Sequence, residues 1–329
     1  MSVQLDESQF ISSLLQEKLP QYYRAFLRDF RRAAHGFVSF NTFFCSLFFV
    51  EIIGFFSCVT FLRDSAFFAI ALSIFFLTLF SYFVLFYYYS AQKPEQFLQI
   101  KEKFIRLCYG GEPIPEEGNA LAAIFCDLAA YLDGFETRFY QVPDFVRPLA
   151  PFVHALSSIF YRKDLFLMKE LLLQAAIKAH LTEIRLTPTL LELHASLANT
   201  YLALSSLYLG AKAFEQKKPV LQELERRFQS AACLAIQEFQ ILRDYAPSDP
   251  WVYEQLAAGY QALQKKEEEI RELEVLRTLR PQDQEALFRL GTLYFETGHN
   301  ALGLRIYEEL RKLHVKKAEE LVRHYGALD

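Results

Sequence analysis

Along residues 37–90 the usual mixing of polar and apolar positions stops. Phe37–Leu62 and Ala66–Tyr89 are two almost unbroken apolar segments, separated only by Arg63, Asp64 and Ser65. About 20 apolar residues in a helix cross a bilayer core, so each segment predicts a span. Three residues hold no domain between them. The pair therefore predicts a transmembrane helical hairpin, with both ends of the protein on one side. Upstream, Leu5, Phe10, Ile11, Leu14, Leu15, Leu19, Tyr22, Tyr23, Phe26, Leu27 and Phe30 recur at three- and four-residue steps, which predicts an amphipathic helix over 5–33. Pro20 is expected to break or kink it. The second half of this run, with its arginines, fits a helix lying on the membrane surface as well as one packed on the soluble part.

After the hairpin, Gln92–Cys108 reads as a helix leaving the membrane. Residues 110–118, rich in Gly, Pro and Glu, read as a loop. A helix is predicted at about 119–133, with Gly134 placed as its C-terminal cap. Pro143, Pro148 and Pro151 mark the next join. Helical patterns then run to the end, and no segment alternates as a strand would. The organisation predicted is an amphipathic N-terminal helix region (1–36), the hairpin (37–90), a helical connector (91–150) and a helical repeat region (151–329). Whether the connector is separate or forms the first layer of the repeats stays open.

The repeat is a 34-residue period. Pro247 and Pro281 stand 34 residues apart. Leu256, Ala257 and Tyr260 follow the first, and Leu290, Gly291 and Tyr294 follow the second at the same offsets. Pro188 opens the same pattern with Leu197, Ala198 and Tyr201. These residues resemble the tetratricopeptide repeat family, whose motif places Leu-Gly/Ala-x-x-Tyr on a first helix, packing residues on a second and Pro near the end. Pro250–Asp283 matches at Tyr253, Leu256, Ala257, Tyr260, Leu273, Leu276 and Pro281. It departs at Glu269, where a small residue is usual, so looser packing is expected there. Gln284–Lys317 matches at Leu287, Leu290, Gly291, Tyr294, Gly298, Gly303, Tyr307 and Leu310, with Val315 in place of Pro. The unit from Pro188 to Pro247 keeps Ala235, Phe239 and Leu242, but is longer than 34 residues by about 25. The excess surrounds Lys212–Lys218 and is expected to lengthen both helices. Lys169–Leu186 reads as the second helix of a degenerate unit whose partner lies near Pro151–Tyr161, and Ala318–Asp329 as a capping helix. The fold class implied is all-α, a transmembrane hairpin followed by a TPR-like solenoid of antiparallel helix pairs. One repeat cannot bury its own face, so neighbours must stack.

Charge places the hairpin. Arg24, Arg28, Arg31 and Arg32 precede the first span, and Lys93, Lys101, Lys103 and Arg106 follow the second, while the turn holds Arg63 beside Asp64. The positive-inside rule predicts an integral membrane protein with two spans and both termini cytoplasmic. Tyr82 and the run Tyr87–Tyr89 suit an interfacial aromatic belt. The N-terminus does not read as a signal peptide, because the apolar run begins late and a second follows at once. The net charge of −4 gives no reason to expect nucleic acid. Five scattered Cys with no CxxC pair suggest neither a zinc ribbon nor a disulfide framework.

Candidate chemistry is sparse. Glu51 stands mid-span, where an ionisable group is costly and marks function by default. It could pair with Asn41, Ser46 or Ser57, mediate homo-oligomerisation of the hairpin, or be protonated, and a neutral acid hydrogen-bonded to a neighbouring helix is the plainer reading. The seven His form no HExxH pair, Asp127, Asp133 and Glu136 read as a solvated helix end, and Gly110-Gly111 lacks the Lys-Ser/Thr of a phosphate loop. No catalytic, cofactor or metal set is recognised, so an enzyme is not expected. The resemblance implies a groove for a protein partner, lined by first-helix positions: Glu192 and Asn199; Trp251, Glu254, Ala258 and Gln261; Glu285, Phe288, Thr292 and Phe295. Phe288 and Phe295 share a helix face and, if exposed, would anchor a partner. The family's carboxylate-clamping subset is not implied, since Ala195 and Glu254 stand where Lys would be wanted. The expectation is a membrane-anchored interaction scaffold or adapter. Two alternatives stay open. The hydropathy shape of 37–90 resembles the bilobed hydrophobic domain of inclusion-membrane proteins secreted by intracellular bacteria. The chain could also be a membrane subunit of a transport or secretion machine that uses Glu51.

Overall fold

The computed structural model describes residues 2–57, 65–109, 118–135 and 150–325. Among these residues all regular structure is helical: α1 Ser2–Ser57, α2 Ser65–Tyr109, α3 Gly118–Tyr131, α4 Ala150–Leu186, α5 Leu191–Lys212, α6 Lys218–Tyr245, α7 Pro250–Ala262, α8 Lys266–Leu279, α9 Gln284–Glu296, α10 Asn300–Leu313 and α11 Val315–Tyr325. The expected hairpin turn at Arg63 and Asp64, the loop at 110–117, Pro143, Pro148 and the end of the capping helix lie outside the described residues. Two compact units result, Met1–Ala175 and Ala176–Asp329, with α4 contributing to both.

In the first unit, α1 and α2 are each long and apolar enough to cross a membrane. They run antiparallel, as their ring contacts show: Phe55 on Phe68 at 5.0 Å, Phe40 on Tyr89 at 5.1 Å, Phe30 on Phe97 at 5.4 Å and Phe26 on Phe104 at 5.4 Å. Most large side chains elsewhere on the apolar stretches point outward, with Phe49, Leu77 and Phe80 each about two-thirds exposed. That is the surface a lipid solvent would cover. Of the break or kink expected at Pro20, the break is absent: α1 continues through it. Pro20 is exposed, so water can meet the carbonyl that loses its partner.

The arginine-bearing half of α1 turns its apolar side inward. Phe26, Phe30 and Ala34 are buried, Phe104 bridges Phe26 and Phe125 of α3, and Tyr23 donates to the carbonyl of Ile124 at 3.4 Å. Of the two readings of this run, packing within the protein accounts for its apolar side. α3 ends at Tyr131, two residues short of the predicted end, and Gly134 takes a left-handed φ of +69° in the turn that follows rather than at the helix cap. α4 is tied to this layer by Lys93, which reaches both carboxylate oxygens of Asp164 at 2.7 and 2.9 Å, and by Tyr161, 3.1 Å from His35 Nδ1. The degenerate helix pair expected over 151–186 is not there. α4 is one 37-residue helix, and the apolar pattern continues in phase past Tyr161 with no glycine or proline to turn the chain.

In the second unit each helix packs on the next, and α11 also packs on α9. The expected lengthening is present: α5 and α6 have 22 and 28 residues, against 13 and 14 in α7 and α8. The last two complete pairs repeat one another position by position. Asp249 caps α7 by accepting from Trp251 N at 3.0 Å, and Asp283, 34 residues on, caps α9 through Glu285 N at 3.0 Å. Each such cap contributes about 1 kcal/mol. Gln264 and Gly298, again 34 apart, take positive φ in the turns within the pairs. Lys265 N reaches Tyr260 O at 2.9 Å just as His299 N reaches Tyr294 O at 2.8 Å. Between pairs, Ala246, Arg280 and His314 close their helices with the same bond to the residue four before.

Candidate interaction surface and intramembrane polar contact

At two glycines of the repeat a neighbouring side chain leaves no room for a Cβ. A Cβ on Gly291 would fall 2.7 Å from Leu321 Cδ2 of α11, and one on Gly303 would fall 2.5–2.8 Å from the ring of Phe295. The motif tyrosines then tie neighbours together. Tyr260 OH accepts from Gln240 Nε2 of α6 at 3.0 Å, and Tyr294 OH donates to Glu274 of α8. Gln240 and Glu274 occupy equivalent positions, 34 apart. Burial and the Glu274 carboxylate push the Tyr294 phenol well above its ordinary range, which keeps it a donor. Arg243 and Arg277, also 34 apart, reach forward to Glu272 and Glu309 on the next second helix.

Glu269, the position that departs from the motif, lies at the register of Gly303. It is 1% exposed and accepts from Arg289 Nε at 2.6 Å and from its second nitrogen at 3.0 Å. Packing there is not loose: the carboxylate fills the place a small residue would leave and pairs with the next helix. Beside it, α6, α7 and α8 enclose a polar cleft of about 410 Å³ lined by Arg243, Arg271, Glu272, Tyr253 and Tyr260. Burial, partly offset by Arg243, raises the pKa of Glu272.

The predicted groove residues separate into three groups. Glu192, Asn199, Ala258, Gln261 and Glu285 are exposed, the last pairing with Lys317. Glu254, Trp251 and Phe288 are half-buried: Glu254 pairs with Arg280, Trp251 packs edge-on against Phe239 at 5.6 Å, and Phe288 leans on the core. Thr292 and Phe295 are buried, each 5% exposed. The image of Phe288 and Phe295 as two exposed anchors is therefore corrected. Phe295 turns inward because Gly303 leaves the space that its ring fills, and Thr292 satisfies its hydroxyl on Phe288 O at 2.9 Å. Sequence reasoning missed an exposed apolar group around the α5–α6 turn, Leu209, Phe214 and Val220. Its signal was three large apolar residues within an otherwise polar insertion.

In the apolar pair, Thr78 of α2 donates to Glu51 Oε1 at 2.6 Å, and Tyr82 donates to Asn41 Oδ1 at 3.2 Å. Glu51 Oε2 is buried with no hydrogen-bond partner among the described residues. The bond does come from the neighbouring helix, but from none of Asn41, Ser46 and Ser57. Ser46 and Ser57 bond back to their own helix, at Thr42 O and Ile53 O, and Asn41 serves Tyr82. Thr78 was missed because its pairing depends on the register between two helices, which periodicity along one helix does not contain. No protein-family model and no curated protein matches this chain.

Proposed function

We propose that the chain is a membrane-anchored protein-interaction scaffold or adapter. An α1–α2 hairpin holds it in the bilayer with both termini cytoplasmic, and tetratricopeptide-like helix pairs present the surface that a partner binds. The observation that carries the reading is the 34-residue recurrence of caps, left-handed turns, tyrosine ties and arginine bridges from α6 to α10. Stacked units of this kind build extended binding surfaces from first-helix side chains. With Phe295 and Thr292 in the core, the recognition residues are Asn199, Ala258, Gln261 and Glu285, edged by Trp251 and Phe288. Such a surface is polar with aromatic margins and suits a partner helix or extended peptide.

Photo-crosslinking residues placed singly at Ala258, Gln261 and, on a second helix, at Glu308 test this in native membranes. The expected result is one adduct of a single mass from positions 258 and 261 and none from 308. Equal yields from all three, or adducts from 308 alone, overturn the assignment of the surface. A second reading, a membrane subunit of a transport or secretion machine, draws on the unpartnered Glu51 Oε2. Under it, Glu51→Gln abolishes activity while insertion and partner binding persist.

A further inference from the structure

Where α1 and α2 leave the apolar zone, their seam opens into a cavity of about 580 Å³. We propose that this cavity holds the headgroup of an anionic phospholipid, an inference that rests on the membrane-anchored reading above. Its wall is graded. At one end stand the rings of Phe40 and Tyr89, 5.1 Å apart. Next comes Gly36, where an added Cβ would meet nothing within 4 Å. Then come Arg32 and Lys93, with Gln96 beside them, and at the far end Lys103 is neutralised by Asp29 at 2.6 Å. Residues 32, 36 and 40 follow the four-residue step of one face of α1, and 89, 93, 96, 100 and 103 follow one face of α2.

Charge and height select the occupant. Lys93 is satisfied by Asp164 and Lys103 by Asp29. Arg32 is exposed and makes no ion pair among the described residues, so the lining carries one uncompensated cation. That suits the single negative charge of a phosphodiester, and Gln96 supplies an amide beside it. Arg32 lies five residues beyond Phe37 and Lys93 four beyond Tyr89, about 6–8 Å at 1.5 Å per residue. The headgroup layer on each side of the hydrocarbon core is about 5–7 Å deep. A free anion has no use for the aromatic end of the cavity, whereas a lipid points its acyl esters that way. Basic pockets between spanning helices on the cytoplasmic side are built for this chemistry.

The test reconstitutes the full chain in vesicles of equal phosphatidylcholine and phosphatidylglycerol. Retained lipid is then counted by native mass spectrometry after mild detergent release. The expected result is one phosphatidylglycerol held in preference to phosphatidylcholine. Arg32→Gln lowers that preference about fivefold. Gly36→Leu, which fills the cavity without changing charge and replaces a poor helix former, abolishes it. Arg28→Gln removes the same charge from outside the cavity and leaves it intact. If Arg28→Gln and Arg32→Gln act alike while Gly36→Leu is silent, binding is diffuse surface attraction and the proposal falls. If inorganic phosphate displaces the lipid from the wild-type chain, the site is for a free anion and the lipid assignment falls. Alkaline carbonate extraction separates the two levels. A chain washed from the vesicles refutes the membrane anchor, whereas a chain that stays but selects no lipid refutes only the cavity's occupant.

Discussion

The Glu269–Arg289 pair offers the sharpest test of how the helix pairs are held together. Arg289→Met keeps the length of the side chain and removes the guanidinium. Glu269 is 1% exposed, and its carboxylate has both bonds to Arg289, at 2.6 and 3.0 Å. Breaking a buried pair by removing one partner costs about 3–5 kcal/mol, because a desolvated charge is left behind. The Arg289 side chain is itself 34% exposed, so water can enter where the guanidinium was, which places the cost near the lower end, about 3 kcal/mol. Glu269→Ala with Arg289→Met removes both charges and places a small residue at the register of Gly303, so the double variant is expected to lose only about 1 kcal/mol. Trp251, the only Trp, packs on Phe239 in the same unit and reports its unfolding. Urea titration of the full chain in detergent micelles, followed by Trp251 fluorescence, should show the single variant's midpoint falling by about 1.5 M for an m-value near 2 kcal/mol/M. The double variant should recover most of that. The cycle isolates the pair's coupling. A single variant within about 1 kcal/mol of wild type, or a double as weak as the single, refutes the reasoning.

Three further outcomes follow from the same structure. His180 is 2% exposed with Nδ1 unpaired, and burial lowers its pKa from 6.5 to about 4. The unfolded chain takes up a proton below pH 6.5 and the folded one only below about 4, so stability falls on acidification through that window, by roughly 1.5 kcal/mol at pH 5.5; Glu272, whose pKa burial raises, acts with the opposite sign. Urea midpoints of the second unit, read from Trp251 fluorescence at pH 7.5 and 5.5, should show this loss, and His180→Leu should remove it there. Gly303→Ala presses a methyl against three atoms of a rigid ring, whereas Gly291→Ala meets chiefly the flexible end of Leu321; the first should cost about 1–3 kcal/mol and the second less, with Phe295→Leu rescuing only the first in thermal melts. Glu51→Gln keeps an acceptor for Thr78 and should leave helix pairing unchanged, while Glu51→Leu loses about 0.6–1.7 kcal/mol, read from the SDS concentration that separates the helices.

What was legible before the structure was whatever repeats along the chain itself. A 34-residue offset survives in the sequence because each unit solves the same packing problem, so Leu256 and Leu290, Ala257 and Gly291, and Tyr260 and Tyr294 sit in matching pockets. The two long apolar helices were legible because charge is nearly absent over about 20 consecutive residues in each. What was not legible depends on which face meets which neighbour. Phe288 and Phe295 are equivalent by helical spacing, yet one leans on the core from its edge and the other fills the space over Gly303, a residue on the next helix. Glu51 finds Thr78 rather than Asn41 because the antiparallel register places residue 78 opposite residue 51. Glu269 shows how far this logic carries. At its register one unit uses glycine beneath an aromatic ring. The other uses a buried carboxylate joined to an arginine of the following helix. Gln261, at the register of Phe295, is exposed and supplies no ring, so the space must be filled from the second helix instead. Where the later pair seats Phe295 over Gly303, the earlier one has an exposed Gln261 and a buried Glu269 held by Arg289, so the same register is filled by two different chemistries.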